Sequence, residues 1–85
     1  MDDGARAKRY VEVGSYTDPQ GQVTPLWVQW WDGQRFDVER VLDRRQAHSF
    51  RCGGGGLRYT VRVRGHDTYL FYENPRWFVE AKVAG

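Results

Sequence analysis

The chain reads as all-β, a small antiparallel barrel or strongly bent sheet of about six short strands, with a two-sheet β-sandwich as the alternative. Three observations predict this. Apolar and polar residues alternate with period two along most of the sequence. The alternating runs are separated by turn formers, among them Asp18-Pro19-Gln20-Gly21, Asp32-Gly33 and Asn74-Pro75. No long stretch carries the 3.6-residue period of an amphipathic helix, and a short all-β chain hides its sheet edges most readily by curling.

The 85 residues are enough for one domain with a modest core, which argues against a large substrate cavity. Residues 1–7 have no apolar period and are expected to form a disordered N-terminal segment, with residues 8–85 as a single domain. Tyr10 to Tyr16, YVEVGSY, is the first strand, and Asp18-Pro19-Gln20-Gly21 closes it. Proline suits the second position of such a turn, and glycine takes the backbone conformation that other residues resist. Leu26 to Trp31, LWVQWW, is the second strand, with Leu26, Val28 and Trp30 assigned inward and Trp27 and Trp31 outward. Asp32-Gly33 predicts a hairpin turn of type I′.

The third strand runs from Gln34 to about Asp43. Val41 and Leu42 are adjacent, so strict alternation cannot bury both, and a bulge or short helical turn near Arg40 is expected. Residues 44–56 show no period and read as the longest loop. Leu57 to Arg64 is the clearest strand, with Leu57, Tyr59, Val61 and Val63 on one face and Arg58, Thr60, Arg62 and Arg64 on the other. Gly65-His66-Asp67 turns into Thr68 to Glu73, TYLFYE. That strand is apolar on both faces and is expected to lie centrally or beneath the long loop. Asn74-Pro75 turns into the last strand, Arg76 to Val83.

The run VTPLWVQWWDGQRFDVERVLD followed by GGGGLRYTVRVRGHDTYLFYENPRWFVE resembles a small bacterial domain family of unassigned function. The pattern is of the form PL..W.DG, then V.D, then GG.G.RYTVR..G, L.YE and WFVE. The likeness spans roughly Tyr10 to Lys82. It implies no catalytic or ligand residues.

The net charge of +2 conceals an uneven distribution. Residues 1–39 sum to −3, residues 40–66 to +6 and residues 67–85 to −1. Seven arginines and the single acid Asp43 make up the central block. Arg58, Arg62 and Arg64 are expected to form a guanidinium row on one face, where positions two residues apart lie about 7 Å from each other, with Arg44, Arg45 and Arg51 in the preceding loop. Guanidinium binds phosphate bidentately and stacks on bases, and outward Trp27 and Trp31 offer stacking surface. These eight residues together predict a face for single-stranded RNA or DNA. The bland reading pairs the arginines with Glu12, Asp37, Glu39 and Glu80 while their stems cover the tryptophans. The second functional reading is a domain that meets a protein partner, or a second copy of itself, through Trp27, Trp31 and an edge strand.

Gly53, Gly54, Gly55 and Gly56 read as a flexible loop or a tight bend. A phosphate-binding loop needs a helix after its glycines, whereas Leu57 and Arg58 open a strand. No metal or other cofactor is expected, since His48, Cys52 and His66 give at most three ligands where structural zinc takes four. Cys52 lacks a compelled histidine partner, and Asp37 and Glu39 form no recognisable acid/base pair, so no enzyme is predicted. No apolar run approaches the roughly 20 residues that cross a bilayer. MDDGARAKR lacks the apolar segment of a secretory signal, and the lone Cys52 fits a reducing compartment; both point to the cytoplasm.

Overall fold

The computed structural model describes residues 6–48 and 55–82. Seven strands form one antiparallel sheet: β1 (Arg6–Thr17), β2 (Val23–Gln29), β3 (Arg35–Asp37), β4 (Arg40–His48), β5 (Gly55–Val63), β6 (His66–Glu73) and β7 (Arg76–Lys82). Their order is β3-β2-β1-β7-β6-β5-β4, and the sheet curls into a half-barrel. It is therefore two consecutive meanders, β1 to β3 and β4 to β7, joined where the first strand pairs with the last. Val38 and Glu39 link the two meanders along the chain. Val38 donates its amide to the Leu26 carbonyl and Glu39 donates to that of Arg62, so the two outer strands are parts of one bent segment.

β1 is long because it serves both meanders. Arg6 to Val11 pair with β7, and Glu12 to Thr17 pair with β2. Arg6 and Ala7 thus belong to the sheet rather than to a disordered N-terminal segment. At the crossover the register shifts between Gly14 and Ser15, with Leu26 the extra residue on β2. That bulge overturns the inward assignment of Leu26, which is half exposed. Beyond it the phase of β2 reverses, so that Pro25 is buried at a position where its missing N–H costs no ladder bond. Gly14 is required by what lies on it: a Cβ there would stand 2.1 Å from the Trp27 indole.

The concave face holds the core. Val28, Tyr59, Val61, Leu70, Trp77 and Val79 are buried there, with Val11, Val13, Trp30 and Phe36 packed around them. Tyr59 and Trp77 meet at 5.2 Å between ring centroids. The Tyr59 hydroxyl donates to the Val23 carbonyl, and Arg44 donates to Gln22 Oε1 at 3.0 Å; these bonds hold β4 and β5 against the start of β2. β6 lies centrally, between β5 and β7. It buries Leu70 on the concave face and Phe71 on the outer one, where Phe71 stacks on Phe78 at 4.9 Å.

Two turn assignments change. The turn after β2 hydrogen-bonds Gly33 N to Trp30 O and puts positive φ at Gly33 alone, so Trp31 and Asp32 are its central residues and no type I′ turn forms there. The two-residue turn with positive φ at both positions is Arg64-Gly65, at +53° and +77°, between the cross-strand partners Val63 and His66. Asp18 caps its predicted turn by accepting from the amides of Gln20 and Gln22.

The largest departure is the loop expected over residues 44–56. β4 continues to His48 and β5 begins at Gly55, paired from Arg40↔Arg62 to His48↔Gly55. Arg44, Arg45 and Gln46 are exposed, so this edge strand carries no alternation to read. The predicted bulge is present between Val41 and Asp43. It extrudes Leu42, which is 39% exposed, instead of burying it beside Val41.

Candidate nucleic-acid interface

The Leu42 bulge decides which arginines meet. Residues directly opposite in an antiparallel pair project to the same face with Cβ atoms about 5 Å apart. Arg40 opposes Arg62 and Arg45 opposes Arg58, on the outer face that Arg58 and Arg62 share. Asp43 and Thr60 lie between the two pairs. Like charges directly opposite each other in a pair are unfavourable as they stand. Acids offset part of the charge: Arg62 binds Asp67 at 2.9 Å and Arg45 binds Asp43 at 2.7 Å. Those hydrogen bonds hold the Asp67 and Asp43 carboxyls below the usual aspartate range. Arg40 and Arg58 form no ion pair with an acid among the described residues. The Arg58 guanidinium stacks on the Tyr69 ring at 4.3 Å, and its Nε is buried with no hydrogen-bond partner. Tyr69 itself is 46% exposed.

The pairings extend this row across the sheet: Arg45, Arg58, Phe71, Phe78 and Tyr10 stand opposite one another on successive strands β4, β5, β6, β7 and β1. Lys8 lies 4.9 Å above Phe78 and Arg76 stacks on Tyr10 at 4.2 Å. Glu73 ties the far end together. It accepts from the Tyr10 hydroxyl at 2.7 Å and from Lys8 at 2.9 Å, and these bonds depress its carboxyl while raising the Lys8 ammonium.

The other predicted site residues are dispersed. Arg44 opposes Tyr59 and turns to Gln22, away from the outer row. Arg64 leaves the expected guanidinium row, because its turn carries it over Phe36 at 5.5 Å. Trp27 is on the outer side of β2, but its indole lies on Gly14 beneath the Arg35 guanidinium at 3.8 Å. Trp31 is 53% exposed at the turn, with Arg9 stacked on it at 4.2 Å. Gly56 fits the tight-bend reading: at φ +130° its absent Cβ would lie 2.3 Å from the Tyr72 carbonyl oxygen. Arg51, Cys52, Gly53 and Gly54 lie outside the described residues. Arg40, Tyr69, Arg9 and Arg35 enter the geometry without having been marked in the sequence. Only the cross-strand register brings Arg40 to Arg62, and the misread loop concealed that register.

Hollows lined by described residues flank these rows. A cleft of about 430 Å³ opens where β1 leaves β7 for β2, with Val13, Ser15, Tyr72 and Arg76 in its walls. A smaller one of about 220 Å³ lies between the β2–β3 and β5–β6 turns. Among the described residues no three His, Cys, Asp or Glu side chains converge as metal ligands, and no helix is long and apolar enough to cross a membrane. No family model, curated protein or solved structure matches the chain.

Proposed function

We propose that the outer face of β4 to β6 binds single-stranded nucleic acid, with phosphates at the two arginine pairs and a base on Tyr69. The observation that carries this reading is the register that opposes Arg40 to Arg62 and Arg45 to Arg58. A bridging anion turns each repulsive pair into a bidentate clamp. Arg58 lies on the Tyr69 ring and, like Arg40, has no acid in ion-pair contact among the described residues, so its charge is left for a phosphate. The pairs are separated by four residues along β5, about 13 Å, and the exposed Tyr69 ring lies between them. That alternation of cation, ring and cation suits an unpaired strand better than a duplex, whose bases are already stacked.

The test is a fluorescence-anisotropy titration with labelled single-stranded RNA, single-stranded DNA and duplex DNA at two salt concentrations. Binding to the single strands is expected to weaken steeply with salt. Arg40→Gln is expected to weaken binding while leaving thermal stability unchanged or raised, since it removes a repulsion in the free protein. Absence of binding at low salt, or a variant that binds as the parent does, sinks the reading. A protein partner is the second reading, favoured by exposed Tyr16, Leu26 and Trp31; it predicts a mass that rises with concentration, or a partner whose binding ignores salt.

A further inference from the structure

At one end of the half-barrel the β2–β3 and β5–β6 turns face each other across the hollow of about 220 Å³ lined by Trp30, Phe36, Val63, Arg64, His66 and Thr68. Its walls are firm. Trp30 and Phe36 meet edge to face at 6.0 Å, and both pack against the buried core together with Val63. The hollow is smaller than the roughly 300 Å³ at which pockets for drug-sized ligands begin, so it takes one ring system. The rim is polar, with the Arg64 guanidinium over Phe36 and His66 exposed beside it.

Arg64 holds its place against a backbone cost. Positive φ at both turn residues favours glycine or asparagine, yet an arginine stands there at +53°. Strain of this kind is retained where a side chain serves a site. The position is also close along the chain to the proposed interface. Arg62 lies two residues before Arg64, and its ion-pair partner Asp67 directly follows His66. The Arg40/Arg62 pair and the hollow are thus on opposite sides of one hairpin end.

We propose that this hollow takes a single unstacked base of the strand bound along the outer face, with Arg64 at the rim against that nucleotide's phosphate. The inference rests on the nucleic-acid reading and adds where one base goes. Trp30 and Phe36 give it aromatic contacts, and Val63 and Thr68 close the sides.

The experiment uses the full chain and an eight-residue oligodeoxythymidine, intact or with one abasic sugar placed at each position in turn. For the parent protein, removing the base at one position is expected to weaken binding about tenfold, the usual scale of one base–aromatic stack. Thr68→Phe fills the hollow and is expected to abolish that positional dependence while keeping the salt dependence. The Trp30 indole resonance, assigned through Trp30→Phe, is expected to shift with the intact oligonucleotide and not with the critical abasic one; this readout stands even where Thr68→Phe fails to fold. Salt-dependent binding with no sensitive position, or a Trp30 signal indifferent to the missing base, overturns the base pocket and leaves the outer-face reading intact. Failure of the intact oligonucleotide to bind at low salt overturns both.

Discussion

Gly14 shows how a single atom fixes the outer surface. Because it has no side chain, the Trp27 indole lies flat on β1, and Arg35 then closes over the exposed ring face. Gly14→Ala is expected to lift that indole and cost about 1–3 kcal/mol, seen as a lower urea midpoint with a red-shifted tryptophan emission. A variant of parental stability would mean that the stack contributes nothing. At this scale the sequence was partly legible. Alternation in β5 correctly set Tyr59 and Val61 inward and Arg58 and Arg62 outward, because one face of that strand meets the core and the other does not. Cover of the tryptophans by arginine was one of the two readings of the sequence, but the seat of the Trp27 ring on Gly14 was not, since a glycine gives no sign of which neighbour will occupy its space.

At the scale of elements, most turn positions were readable, whereas the edge strand β4 and its pairing with β5 were not. Turn residues marked the end of β1 and the junction of β6 with β7, where Asp, Pro, Gly and Asn have local reasons to bend the chain. The second half of β4 was invisible because Arg44, Arg45 and Gln46 project to solvent; the strand exists through its ladder with β5. The arginine pairs were hidden with it. One contact between meanders is testable on its own. The Tyr59 hydroxyl, bound to the Val23 carbonyl, is the buried polar link from β5 to β2. Tyr59→Phe keeps the ring and leaves that carbonyl without its donor, so a loss of about 1 kcal/mol is expected in equilibrium urea unfolding. A neutral substitution would show that this hydrogen bond adds nothing to the β1–β7 ladder and the packing that join the two meanders.

For the whole molecule, the fold class was legible because period-two patterning is a property of the entire chain, whereas the strand order depends on a pairing between its two ends. Charge sets the pH response at the same scale. Hydrogen bonds from Tyr10 and Lys8 hold Glu73 low, Arg45 does so for Asp43 and Arg62 for Asp67. A carboxyl depressed in the folded state stabilises the fold above its unfolded pKa and ceases to do so as pH falls through the folded one. The urea midpoint is therefore expected to stay level from neutral pH down to about pH 5 and to fall below about pH 4. Glu73→Gln should flatten part of that acid limb. Lys8 acts in the opposite sense: its raised ammonium pKa sustains stability below the ordinary lysine range of about 10.4 and is lost as pH rises through the higher folded value. An acid limb unchanged in Glu73→Gln would remove Glu73 from the account.

The ladder between β1 and β7 also has a meaning in time. During synthesis each meander can form as its own strands leave the ribosome, because its hairpins are local. The first strand must nevertheless wait for the last, and until β7 emerges the half of β1 that ends at Val11 has no partner strand on that side. Long-range closure of this kind is slow relative to hairpin formation. The nascent chain therefore exists for a period as two small sheets tethered at Val38 and Glu39, with the aromatic centre of the molecule still open to water.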